Sequence, residues 1–171
     1  MKGLLSWLLF VFCIAWVFSS AQTATTPFIV TISTEAPAAN IGPESYAVRT
    51  GSDVFINVRL TNTSKRNLRI SDDTDSRTGI DFCNRYEIRD SSGNFARKWT
   101  VQHSELGSTG HGWPARIIKP TENLTVATDR ISGLYDLAKP GKYTIQVVRD
   151  ASGKPKKGEV KSNVITLTVT E

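Results

Sequence analysis

The sequence predicts an all-β domain, an antiparallel sandwich of about 7–9 short strands behind an N-terminal signal-peptide helix. Three observations carry this. Apolar residues recur with period two almost everywhere, as in Val54, Ile56, Val58 and Leu60 of "VFINVRLT". The alternating runs are short and bounded by Gly, Pro, Asn, Asp or Ser, which is the punctuation of strands and turns. Beyond the leader no long stretch repeats at the helical period.

In chain order, Lys2 precedes an uncharged apolar run from Leu4 to Phe18, and Ser19 and Ala21 then supply small residues. The run falls short of the ~20 residues that span a bilayer, and no Lys or Arg cluster follows it. It reads as a secretory leader over residues 1–21, cut after Ala21 to leave Gln22 first. Cys13 follows Phe10-Val11-Phe12, which lacks the small residues that lipidation requires. A secreted or periplasmic location follows, with no membrane contact after cleavage.

Residues 22–171 then read as a single domain, long enough for a real core. "FIVTIS" is the first strand, and the Pro- and Ala-rich residues 33–45 an irregular crossing. "RTGSDV" turns into "VFINVRLT", whose Asn57, Arg59 and Thr61 face away from the apolar side. "YEIRD", "FARKWTV" and "NLTVA" follow as strands, with polar loops at 71–81 and 102–114 between them. "YTIQV" and "VITLTV" form a closing hairpin with a wide basic tip. Before that hairpin, Pro140-Gly141 precedes Tyr143. A sandwich corner places such a ring in the core, with its hydroxyl bonded to upstream backbone; that partner is expected near Leu137 or just upstream. Antibody-type domains carry a cysteine two residues after this Tyr, where Ile145 stands here.

Charge and cysteine usage narrow the function classes. The net charge of +5 falls to +4 when the leader and its Lys2 are removed. Lys65-Arg66 and Lys154/Lys156/Lys157 sit in turn-like contexts without interleaved aromatics, so they read as solvated loop charges and not as a nucleic-acid surface. Cys83 is the one cysteine after the leader, which forbids an internal disulfide and leaves burial to stabilise the fold. Alternation puts Cys83 with Arg85 and Glu87, opposite Phe82, Tyr86 and Ile88.

Candidate chemistry is sparse. Asp72, Asp73, Asp75 and Asp81 are hard oxygen ligands, but Arg77 and Thr78 stand where an EF-hand needs a ligand and a glycine. The loop reads as Asp side chains capping turns, with a calcium site of another type left open. His103 and His111 lie eight apart beside Glu105, without the third strong ligand of a zinc site. With Trp113 they form the candidate binding loop; Trp113 and Trp99 are either partner-binding aromatics or core. No serine elbow, His-Glu helix or phosphate-cradling glycine loop occurs, so no catalytic residue and no cofactor is expected. Asn62-Thr-Ser and Asn123-Leu-Thr are formal glycosylation acceptors.

"GSDVFINVRLTNTS", "LYDLAKPGKYTIQV" and the closing "KSNVITLTV" resemble the immunoglobulin-like and fibronectin-III-like sandwich modules of exported bacterial proteins. Through "VRLTNTS" and the Pro-Gly-Lys-Tyr strand the chain is also similar to the BsuPI-type proteinase-inhibitor-like sandwich. The resemblance covers most of residues 46–170 and lies in core and turn positions, so it implies architecture and carries over no functional residue. The expected function is a secreted, non-catalytic binding or accessory module contacting a protein or glycan through its loops. The alternative is a peptidase inhibitor that presents a protruding loop such as 102–113.

Overall fold

A computed structural model describes residues 26–35, 38–70, 83–99, 115–150 and 158–171. Ten strands account for most of these: β1 (Phe28–Thr34), β2 (Ala39–Gly42), β3 (Ser45–Arg49), β4 (Phe55–Asn62), β5 (Leu68–Ile70), β6 (Asn84–Asp90), β7 (Arg116–Ile118), β8 (Asn123–Arg130), β9 (Gly141–Asp150) and β10 (Glu159–Thr170). A single 3₁₀ turn, Ile131–Gly133, follows β8. The fold is all-β, as the two-residue period requires.

Two sheets enclose a common core in a sandwich-like arrangement. One is three-stranded in the order β1-β4-β8, and the other five-stranded in the order β2-β3-β10-β9-β6. All pairings are antiparallel except β3, which runs parallel to β10. β5 and β7 form a separate two-stranded ribbon. The chain thus changes sheets between β1 and β3, and sandwiches commonly turn such corners.

Alternation decides which side chains fill the interior. Val30 and Ile32 of β1, Ile56, Val58 and Leu60 of β4, and Val126 of β8 join one apolar cluster with Tyr86, Ile88, Tyr143, Ile145, Val147, Ile165, Leu167 and Val169 of the facing sheet. Burying each large aliphatic contributes roughly 1.5–3 kcal/mol, and Ile56, Leu60, Ile145, Ile165 and Leu167 are wholly buried. Arg59, Thr144 and Val164, which alternate with these, are exposed.

Two expectations need correction. Residues 33–45 are not merely irregular: β2 and β3 form a hairpin there, its turn held by the Asn40 side chain accepting from Gly42 N–H at 3.0 Å. β2 buries no residue fully, so it leaves no apolar period to read. The described part of "FARKWTV" is not a continuous strand but makes two isolated bridges, Phe95 to Arg89 and Lys98 to Tyr135. The Asp90–Asn94 turn, with Gly93 at φ 82, folds the chain back on β6 first, and the segment then departs toward another part of the molecule. Tyr143 is buried as expected, and its hydroxyl donates to upstream backbone near Leu137, at the Lys139 carbonyl, 2.9 Å away. β5 and β7, three residues each, were not foreseen; a run that short shows no period.

Asn62 is fully committed inside the fold. Its amide nitrogen donates to the Arg66 and Ile118 carbonyls, both at 2.8 Å, and its oxygen accepts from Ser64. A glycan on that nitrogen is incompatible with this structure, whereas Asn123 is exposed. The leader and the loops 71–81 and 102–114 lie outside the described residues, as does the tip of the last hairpin. That hairpin's pairing is present on both sides of the tip, with Asp150 opposite Glu159.

Candidate binding groove

Where β8 ends, the chain makes a tight corner before β9, and a groove opens against it. Ile131 N–H donates to the Val54 carbonyl at 2.9 Å and Leu134 N–H closes the 3₁₀ turn on Ile131. Wholly buried Ile131, together with Leu134 and Leu137, pins the corner from beneath. Arg130 is thereby left exposed, and Ser132 and Asp136 partly so, on a fixed backbone.

A second segment is laid alongside. Trp99 N–H donates to the Leu134 carbonyl at 2.8 Å, and Asp136 N–H donates to the Arg97 carbonyl at 2.8 Å. This two-bond bridge holds Trp99 against the corner although no regular strand contains it. Trp99 is 42% exposed, which decides between its two readings: it belongs to the surface. The Arg97 guanidinium lies over its ring, 5.7 Å from the centroid.

The turn that leads into β4 supplies the opposite wall. Asp53 accepts from the Ser132 hydroxyl at 3.2 Å and stands 3.6 Å from the Arg130 guanidinium. Both charged side chains are more than half exposed, so the pair adds little to stability and its polar atoms stay accessible. Gly133 has a local role: a Cβ there would meet the Arg130 guanidinium at 3.3 Å, so the absence of a side chain lets the guanidinium lie against the corner.

Together these elements form an open concavity of about 250 Å³ lined by Asp53, Trp99, Arg130, Ser132, Tyr135 and Leu137 among others. Tyr135 is buried, and its hydroxyl donates to the Tyr86 carbonyl at 3.1 Å. Burial raises its pKa above the ordinary 10.0, partly opposed by Arg85, so the lining includes a neutral phenol. Asp136 completes the lining, one oxygen accepting from Ala138 N–H at 3.2 Å. The arrangement offers an aromatic face, two carboxylates, a guanidinium and a hydroxyl within one concavity. That composition suits recognition.

Of the residues expected to bind a partner, His103, His111 and Trp113 lie outside the described residues, as do the four aspartates of the 71–81 loop. Among the described residues no group of three or more His, Cys, Asp or Glu could hold a metal ion. Trp99 was singled out from sequence, but Asp53, Arg130, Ser132 and Asp136 were not. They sit in "GSDV" and "DRISGLYD", where Ser, Asp and Gly look the same whether they form turns or line a site. The chain matches no protein-family model, and comparison with curated proteins finds no match.

Proposed function

We propose that this chain is an exported, non-catalytic immunoglobulin-like module that binds a protein or glycan partner at the end of its sandwich where Trp99 lies. The strand order supports the immunoglobulin-like reading. β4 pairs with β8 in one sheet while β6, β9 and β10 lie side by side in the other, which is the B–E and C–F–G arrangement of that architecture. Tyr143 then stands at the start of the strand equivalent to F, with its hydroxyl bonded back to the preceding corner, as a tyrosine corner requires.

The observation that carries the binding role is Trp99 itself. A large aromatic left 42% exposed, fixed by two backbone hydrogen bonds and set in a concavity among charged groups, is a ready anchor for a partner. Among the described residues the other exposed large apolar side chains lie apart, Ile29, Ile41, Ile117 and Val164 on four different strands and Phe95 in the segment after β6, and singly exposed apolar residues need no function.

Affinity capture from the source's own envelope or culture fluid tests the reading, with wild-type protein and Trp99→Ala compared. The expected result is a partner held by the wild type and weakened by about tenfold or more in the variant, as truncation of an interface anchor produces. Equal capture by both proteins overturns the assignment of this surface. N-terminal sequencing of the exported chain is expected to begin at Gln22, and an intact leader would refute export with cleavage.

A further inference from the structure

We infer that the groove beside Trp99 takes one ring of a neutral oligosaccharide; this rests on the binding-module reading and names its ligand class. Four features of the site point the same way. The first is size. At about 250 Å³ the concavity lies below the roughly 300–1,000 Å³ typical of pockets for drug-sized molecules, enough for a single sugar ring whose neighbours continue along the surface. The second is the aromatic wall. A pyranose presents one face of C–H bonds, which packs on the electron-rich face of an indole, while its hydroxyls point outward around the rim.

The third feature is the set of polar atoms at that rim. Asp53 and Asp136 are acceptors suited to neighbouring hydroxyls, Arg130 is a donor-only fork, and Ser132 can do either. Ring hydroxyls are both donors and acceptors, so this mixture satisfies them around one ring. The fourth is charge. Among the described residues Asp53 and Asp136 of the lining meet Arg130, with Arg97 just outside it over the indole, so these groups hold no surplus of cations with which to select an anion, and two cations stand beside the two carboxylates. A sulfated or uronic-acid chain would want more cations, and a basic peptide more carboxylates. Pre-organisation adds to this, because both walls hang on backbone hydrogen bonds of the corner and little ordering remains to be done on binding.

The test is isothermal titration of the exported wild-type protein with trimers of glucose, mannose, xylose and N-acetylglucosamine. Trp99→Ala and Asp136→Asn are run in parallel after their melting midpoints are shown to match wild type. Asparagine keeps the acceptor that caps Ala138 N–H, so the second variant removes charge without removing the turn. Saturable binding of at least one trimer with Kd of about 1 mM or tighter is expected. It should weaken by about tenfold or more in both variants and change little with added salt, since screening acts on net charge. Failure of all four trimers to bind overturns the inference; if a captured protein partner nonetheless depends on Trp99, the binding-module reading stands and only the ligand class is wrong. Trimer binding that both variants leave intact also overturns the inference, by placing the sugar elsewhere. Binding that collapses with salt would show that the ligand is held by charge and would equally refute a neutral-ring site.

Discussion

Two tyrosine hydroxyls show how differently one hydrogen bond weighs in this molecule. The Tyr143 hydroxyl donates to Lys139, whose carbonyl belongs to an exposed residue. Removing the hydroxyl lets water reach that carbonyl, so Tyr143→Phe is expected to cost about 0.5–1.5 kcal/mol. Tyr143→Ala also removes the ring from the core and should cost about 3–5 kcal/mol. Tyr86 is another matter. Its hydroxyl donates to the Asp129 carboxylate at 2.5 Å, both residues are buried, and the bond joins β6 of one sheet to β8 of the other. Water cannot replace a donor there, so Tyr86→Phe should cost about 1–3 kcal/mol, the range for losing one partner of a buried hydrogen bond. Urea melts of the three variants check the order Tyr143→Phe, Tyr86→Phe, Tyr143→Ala. A Tyr86→Phe midpoint equal to that of Tyr143→Phe would mean the inter-sheet bond adds nothing special.

Among elements, β10 shows how a local irregularity does structural work. Its pairing with β9 slips between Lys161 and Val164, as at a bulge, and side chains take over the vacated bonds. Ser162 Oγ accepts from Val147 N–H at 2.9 Å, and Gln146 donates to the Ser162 carbonyl at 2.9 Å. The slip also aims Asn163 across to the other sheet. Its oxygen accepts from Ile32 N–H at 2.8 Å and its nitrogen donates to the Ile32 carbonyl at 3.2 Å and to Glu44 at 2.8 Å. One side-chain amide thus serves edge strand β1 as a neighbouring strand would. Asn163→Ala should cost about 1–3 kcal/mol and, more diagnostically, speed amide exchange at Ile32 well beyond that at Ile145. Unchanged protection at Ile32 would show that β1 is held by its pairing with β4 alone.

Taken whole, the described residues draw their stability from burial and hydrogen bonding. The alkaline limit follows from two phenols. Burial raises the pKa of both Tyr135 and Tyr143 above 10.0, with Asp136 and Asp90 adding to the rise at Tyr143. Ionisation is therefore harder in the folded state than in the unfolded chain. Their contribution is complete below the unfolded value of 10.0 and is lost as pH rises through the higher folded values. Urea midpoints should hold steady from about pH 8 to the ordinary tyrosine value and fall beyond it, together with the growth of tyrosinate absorbance. Midpoints that stay constant to about pH 11.5 would show that neither phenol is coupled to folding.

Local pattern was enough to specify the strand faces, the closing hairpin and the buried corner tyrosine, because each depends on contacts within a few residues: a period of two, a Pro-Gly turn, a ring beside it. It could not specify that β3 runs parallel to β10, that Asn163 reaches Ile32, or that Asp53, Trp99 and Arg130 share one groove. Those pairs are separated by 46 residues at Asp53 and Trp99, by 77 at Asp53 and Arg130, and by 131 at Ile32 and Asn163. Nothing in a local pattern marks them, since Asp, Ser, Gly and Arg are ordinary turn residues wherever they occur. Even Trp99, suspected from its type, became a surface residue only because its segment, after pairing with β6 at Phe95 and Ala96, left that strand and the corner carbonyl of Leu134 caught its N–H. Periodicity settles which way a side chain faces, whereas the packing of distant segments decides what it meets there.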